Sequence, residues 1–204
     1  MPLLKFQPSY KTEFLDDNQF GFTPQKSTTD AAMAVIQITE PELERGRVVF
    51  MASLDVKKPF DPAWRPAILK GLRDAKCPLN LYQLTQDYFR ERRAVISINS
   101  SKMEKNITTG CPQVACCWPG FWNIQYNSLL NLKYPNHMKA VAFTDYLVIM
   151  ITGNFIREAE NIANIEFSKI SAWAKKTNKI RFNGQISKVM LMRRRKNLKY
   201  RIGK

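Results

Sequence analysis

Val48-Val49-Phe50-Met51-Ala52-Ser53-Leu54-Asp55-Val56 is a nearly continuous apolar run, β-branched at its ends, that closes on a carboxylate. Such a run suits a central strand buried on both faces and delivering Asp55 at its far end. A second apolar stretch, Ala140 to Ile151, is interrupted by Thr144-Asp145-Tyr146 and reads as a hairpin turning at Asp145. In one sheet the two segments would set the carboxylates of Asp55 and Asp145 side by side. Mg²⁺ wants oxygen ligands in near-octahedral array and usually takes one or two carboxylates plus substrate phosphates. The pair therefore points to a nucleotidyl-transfer site.

Outward from this core the periodicity alternates between helix and strand, as in an α+β domain. Ser27-Thr28-Thr29-Asp30 forms a capping box, and Ala31, Ala34, Val35 and Ile38 follow at helical spacing, predicting a helix to about Glu40. Pro41 and Gly46 bracket a predicted loop. Trp64, Ile68, Leu69 and Leu72 continue at helical spacing, and a second helical stretch carries Leu81, Leu84, Tyr88 and Phe89. Val95 to Ile98 and Met103 to Ile107 flank Asn99-Ser100-Ser101 as a hairpin that leads into Gly110-Cys111-Pro112-Gln113. Trp118 to Leu132 reads as a helix, and Phe155 to Lys176 as a long amphipathic one with Ile162, Ile170 and Trp173 inward. Short strands between Ile180 and Met192 close the pattern.

The 204 residues suit one domain or a fragment of one, and 45% hydrophobic residues are ample for a packed core. Lys and Arg total 32 against 17 Asp and Glu, a formal charge of +15. That is the electrostatic footprint of a nucleic-acid partner, because neutralising phosphates releases counterions. Cys77, Cys111, Cys116 and Cys117 form no Cys-x-x-Cys pair and His137 is the single histidine, so zinc-ligand spacing is absent. The same cysteine usage predicts a reducing, intracellular compartment, nuclear or cytoplasmic. The start of the chain lacks a signal-peptide core and the apolar run around Asp145 is too short to span a bilayer, so no membrane role is expected.

Seven segments in order carry a resemblance: Asn18-Gln19-Phe20-Gly21-Phe22, Ser27-Thr28-Thr29-Asp30-Ala31, Leu54-Asp55 with Phe60-Asp61, Gly110-Cys111-Pro112-Gln113, Gly120-Phe121-Trp122-Asn123, Ala142-Phe143-Thr144-Asp145 and Ser187-Lys188-Val189-Met190. Together they resemble the reverse transcriptase domain of insect-type non-long-terminal-repeat retrotransposons, from about Asn18 to Lys196. Any one piece is weak; their common order is specific. The resemblance implies a right-hand polymerase fold, an antiparallel palm sheet covered by helices. It assigns about 14–46 to the late fingers, 47–192 to the palm and 193–204 to a basic tail, with the first fingers motifs and the thumb missing.

It also implies roles position by position. Asp55 matches the metal-bridging aspartate, assisted by the carbonyl of Val56. Asp145 matches the first of the family's paired palm aspartates, though a hairpin turn welcomes aspartate for local reasons too. Phe60 matches the aromatic gate that favours deoxynucleotides. Gln113, with Gly110 and Pro112, matches the segment lining the nucleotide and template pocket. Lys188 matches a lysine that neutralises the leaving pyrophosphate, and Lys26 is placed to meet triphosphate oxygens; for both the plainer alternative is a solvated lysine. The expected partners are an RNA template, a DNA primer and deoxynucleoside triphosphates, and the expected cofactor is Mg²⁺ or Mn²⁺.

Departures from the family pattern weigh against activity. Tyr146 stands where the family has its second aspartate, and a phenol with pKa about 10 is a poor ligand for a hard dication. Thr23 replaces a fingers arginine, Lys58-Pro59 replaces a Gly-Ala pair, and Val114-Ala115 replaces Gly-Ser. The resemblance therefore implies a reverse transcriptase copy that is weak or inactive. The alternatives are a non-catalytic nucleic-acid binder using Arg92-Arg93, Lys175-Lys176 and Arg193-Arg194-Arg195-Lys196, or an unstable fragment without a role.

Overall fold

A computed structural model describes residues 14–57, 64–99, 101–107, 109–110, 117–177, 180–185 and 187–194. Its elements in order are α1 (Thr28–Glu44), β1 (Val48–Asp55), α2 (Arg65–Asp74), α3 (Leu79–Phe89), β2 (Arg93–Ile98), β3 (Ser101–Asn106), α4 (Trp118–Leu130), β4 (Met138–Phe143), β5 (Tyr146–Gly153), α5 (Ile156–Ala172) and β6 (Lys188–Arg193). Four strands form an antiparallel sheet in the order β4-β5-β1-β6, and β2 and β3 pair separately.

The apolar run at 48–55 takes the inner position that its composition demands. It lies between β5 and β6, with Val48, Val49 and Ala52 buried. Alternation splits its side chains between two cores. Phe50, Leu54 and Val56 join the larger cluster, built with Trp122, Tyr126 and Leu129 of α4 and Ala163 and Ile170 of α5. Val49 and Met51 join a smaller one with Val141, Met150, Phe20 and the Ala31, Ala34, Val35 and Ile38 stripe of α1.

Helix α4 is apolar almost all round, which fits a helix enclosed by protein on most sides. Phe121, Trp122, Ile124, Tyr126 and Leu129 are all buried, and Trp122 stacks on Tyr126 with ring centroids 5.0 Å apart.

The capping box forms as expected. Ser27 Oγ accepts from the Asp30 N–H at 3.2 Å, and the Asp30 carboxylate accepts from the Ser27 N–H at 2.7 Å. The helix it starts does not stop before Pro41, however, but runs through it to Glu44. Proline inside a helix forfeits one main-chain bond. Here Leu43 packs on the smaller core beyond it and Thr39 is buried, so tertiary packing overrides the local preference.

The predicted long helix likewise changes winding at its end, where residues Trp173–Thr177 form a π-helical turn. Trp173 is held there by its indole N–H, which donates to Ser128 Oγ at 3.1 Å.

Candidate active site

The ladder between β1 and β5 sets the site. Its last pair is Asp55 opposite Tyr146, and the Val56 N–H donates to the Asp145 carbonyl at 3.2 Å just beyond it. That bond makes Asp55–Tyr146 a non-hydrogen-bonded pair, the kind in which Cα atoms approach to about 4.5 Å and side chains lie closest. Asp145 occupies the turn between β4 and β5, so both acids sit at one end of the central strands. Thr144, the other turn residue, has a φ of 53°, and its hydroxyl donates to Asp145 Oδ1 at 2.8 Å.

Asp55 is bound on every side by its own sheet. Its N–H donates to Ser187 Oγ at 3.3 Å, and its carbonyl accepts from the Asn183 N–H at 2.7 Å. The Ser187 hydroxyl donates to the Asn183 carbonyl at 2.7 Å, closing the loop before β6 onto the end of β1. The two bonds flanking the Val56–Phe182 bridge use the Asp55 carbonyl and the Lys57 N–H, not the Val56 carbonyl. That carbonyl is the one the resemblance implies as a further oxygen donor.

Asp55 is only 8% exposed. Burial pushes its carboxyl above the ordinary aspartate range, the negative charge of Asp145 adds to the shift, and a hydrogen bond from the Asn183 side chain partly offsets it. The same field reaches into α4. Burial first, then Asp145, Tyr134 and Asp55, push the phenol of Tyr126 up, and its hydroxyl has no hydrogen-bond partner among the described residues.

Two like charges at one end of a strand pair, Asp55 buried and Asp145 half-buried, are what a divalent cation relieves. Carboxylate and carbonyl oxygens are hard donors of the kind that suit a hard divalent cation. No group of three or more His, Cys, Asp or Glu side chains converges among the described residues.

Stability should carry the signature of this pair. A carboxyl whose pKa is raised in the fold holds its proton more tightly than the unfolded chain does. Its favourable contribution is thus complete below the ordinary aspartate range and is lost as pH climbs through the raised folded value. At neutral pH the ionised Asp55 therefore costs stability. An Asp55→Asn variant is expected to melt higher than the native chain at neutral pH, with the gain shrinking as the buffer is acidified towards the aspartate range. A lower midpoint at neutral pH would contradict the strained pair.

The other expected residues are placed as follows. Lys188 pairs with Ser53 on the ladder of β1 and β6 and shares its sheet face with Asp55, with its side chain exposed. Gly110 ends the approach from the β2–β3 hairpin with a φ of 82°, which only glycine adopts freely. Lys26 is employed within its own loop, where its ammonium donates to the Asp17 carbonyl and lies 4.9 Å from the centroid of the Phe20 ring. Phe60, Pro112 and Gln113 lie outside the described residues, as do Val114 and Ala115.

A polar bracket around the acid-bearing turn is not legible in the motifs themselves. The segment at 18–20 pairs with the edge of β4, through Phe20 N–H to Ala142 O and Ala142 N–H to Asn18 O, both 2.9 Å. Gln19 is fully buried and donates to Asn123 Oδ1 at 2.8 Å, while Asn123 Nδ2 donates to the Gly21 carbonyl at 2.9 Å. Trp122 donates its indole N–H to the Thr144 carbonyl at 2.6 Å. One turn of α4 therefore fastens both the 18–23 loop and the hairpin turn. Amides in an otherwise apolar helix were the available signal.

Comparison with known proteins decides the family. The model of the reverse transcriptase (RNA-dependent DNA polymerase) family matches residues 3–200. The chain belongs to the reverse transcriptase family. It is 32% identical over 136 residues to a putative 115 kDa protein of the type-1 retrotransposable element R1DM of Drosophila melanogaster, a match covering 67% of this chain and 13% of that protein.

It is 29% identical over 159 residues to the Pol polyprotein of the type-1 retrotransposable element R1 of Bradysia coprophila, covering 78% of this chain and 15% of that one. The chain thus spans well under a fifth of the length of these two relatives. The telomerase of Candida albicans shares the fold, with a TM-score of 0.67 at 13% identity over 92% of this chain and 34% of that chain. This is a retrotransposon reverse transcriptase domain with an α+β palm, and among the described residues no helix is long and apolar enough to cross a membrane.

Proposed function

We propose that this reverse transcriptase segment supplies a palm, about 47–192, with adjoining late fingers, about 14–46, and a basic tail, and that its two-acid site supports RNA-directed DNA synthesis weakly or not at all. The observation that carries the reading is the pairing of Asp55 against Tyr146 with Asp145 in the adjoining turn. Asp55, Asp145 and the Val56 carbonyl would hold Mg²⁺ or Mn²⁺, which supplies charge neutralisation for attack of a primer 3′-hydroxyl on a deoxynucleoside triphosphate.

The chain's own part is to hold that corner rigid. Asn183 and Ser187 fix the Asp55 main chain, and Trp122 and Thr144 fix the turn carrying Asp145. Lys188, on the same sheet face, is proposed to neutralise the departing pyrophosphate. Phe60 and Gln113 are proposed as the sugar gate and the template-side contact, and Gly110, Pro112 and Lys26 as further nucleotide contacts. What is lacking is the second palm aspartate. Loss of one preorganised electrostatic contact typically costs about 10²–10³ in rate.

Primer extension on an RNA template with Mg²⁺ or Mn²⁺ tests the reading. The native chain is expected to incorporate deoxynucleotides at trace levels, with Asp55→Ala removing what remains. Incorporation at the level of an intact relative would overturn the impaired reading. Residual incorporation untouched by Asp55→Ala would overturn the site.

A second reading, a non-catalytic nucleic-acid binder, is favoured by the same tyrosine and by the exposed basic groups. Arg93, Lys175, Arg193 and Arg194 are among them, and the half-buried Arg92 lies with its guanidinium 4.4 Å from the Tyr88 ring centroid. It predicts binding that weakens steeply with added salt and is indifferent to sequence.

A further inference from the structure

Asn183 touches Asp55 twice, and the second contact is one the fold does not need. Its main-chain N–H donates to the Asp55 carbonyl at 2.7 Å, and its carbonyl accepts from the Ser187 hydroxyl at 2.7 Å and the Ser187 N–H at 2.9 Å. The Lys57 N–H, donating to the Arg181 carbonyl at 2.8 Å, ties the same loop to the end of β1 once more. With the loop already fastened through its main chain, a further hydrogen bond from the Asn183 side chain to the Asp55 carboxylate adds little to holding it. Its effect falls on the carboxylate.

The half-buried Asn183 amide is set for that donation. Its Oδ1 accepts from the Gln185 N–H at 3.2 Å, closing a local turn and leaving Nδ2 for Asp55. Aspartate in its place could take the Gln185 N–H but has no proton to give, and it would add a third negative charge beside Asp55 and Asp145. Lysine would neutralise the acid and compete with a bound cation. An amide orients the carboxylate and leaves its charge intact.

The partner acid is treated alike, since the Thr144 hydroxyl donates to Asp145 Oδ1 at 2.8 Å. Each member of the pair thus has one oxygen engaged by an uncharged donor and the other left for a cation. A carboxylate that offers a single oxygen suits the octahedral shell of Mg²⁺, and of Mn²⁺ as its stand-in. Ca²⁺, with its larger and more flexible shell, readily takes both oxygens of one carboxylate.

We infer that Asn183 is a positioning residue that holds Asp55 as a one-oxygen ligand and so biases the acid pair towards Mg²⁺ and Mn²⁺ over Ca²⁺. The assignment rests on the polymerase reading above and deepens it by naming a residue outside the acid pair and the ion preference it sets.

The test is a titration of Mn²⁺ into the native chain, Asn183→Ala, Asn183→Ser and Asp55→Ala, with free Mn²⁺ read from its electron paramagnetic resonance signal and the bound ion then displaced by Ca²⁺. Melting of each protein in chelator is recorded alongside. Removing a group that orients a metal ligand typically costs about 10–100-fold in metal affinity. Asn183→Ala and Asn183→Ser are therefore expected to bind Mn²⁺ about tenfold or more weakly, with Ca²⁺ weakened less, so that the preference between the ions narrows.

Serine keeps an oxygen for the Gln185 N–H but is too short to replace Nδ2, so this variant should share the metal defect while melting closer to the native chain than Asn183→Ala does. Mn²⁺ binding unchanged in both variants overturns the positioning role. An equal loss for Mn²⁺ and Ca²⁺ also overturns it, because that is what a merely loosened loop would give. Mn²⁺ binding that is absent from the native chain, or untouched by Asp55→Ala, overturns it together with the acid-pair site on which it stands.

Discussion

A Gly21→Ala variant is expected to lose much of the stability of the domain. A Cβ at this position would lie 2.0 Å from Thr144 N, 2.8 Å from Thr144 Cα and 3.0 Å from the Phe143 carbonyl carbon, all main-chain atoms that no rotamer change can move aside. Relief requires the 18–23 loop to lift off the hairpin. That would break the Phe20–Ala142 and Asn123–Gly21 hydrogen bonds and disturb the buried Gln19–Asn123 pair.

Overpacking usually costs 1–3 kcal/mol, and a clash between two backbones belongs at or above that limit, about 3 kcal/mol or more. For a domain of this size the melting midpoint should fall by roughly 6–12 °C. Gly120→Ala is the matched control. Nothing lies within 4 Å of its virtual Cβ, and it sits in α4, so helix propensity should make that variant neutral or up to about 1 kcal/mol more stable. Equal melting of Gly21→Ala and the native chain would mean that the loop does not rest on the acid-bearing turn.

Tyr146→Asp is expected to have the largest effect on chemistry. The position is already correct: it opposes Asp55 in a close, non-hydrogen-bonded pair and its side chain reaches solvent. A carboxylate there would complete an oxygen cluster with Asp55 and Asp145. Primer extension should rise by about 10²–10³ over the native chain, the reverse of losing one preorganised contact.

Without metal the same substitution places like charges opposite each other, which is destabilising on a ladder. The variant should therefore melt below the native chain in chelator and recover with Mg²⁺ by more than the native chain does. If incorporation and metal response both stay at native levels, the register does not define a polymerase site.

The parts of this arrangement that could be read in the chain are those written in consecutive residues. The apolar run ending in Asp55, the hairpin around Asp145 and the Ser27–Asp30 box each carry their own local pattern, and each forms as expected. The course of α1 beyond Pro41 was not readable, because the reason for it is packing of Leu43 and not anything local.

Neither was the bracket made by Gln19, Gly21, Trp122 and Asn123. Sequence order marks these as motif residues but gives no hint that Gly21 lies on Thr144 or that one helix turn holds both partners. Asn183 is a loop residue outside every motif, and only the fold brings it to the carboxylate of Asp55.

The inner position of β1 also has a consequence for how the molecule is made. On the ribosome the strand bearing Asp55 emerges well before both of its hydrogen-bonding neighbours, β5 and β6. Until then a valine-rich segment has open ladders on both sides. Such sheets form slowly and expose sticky edges while they wait, so nascent chains should depend on chaperone holding, and ribosome-stalled products ending before β5 should aggregate rather than accumulate as folded intermediates.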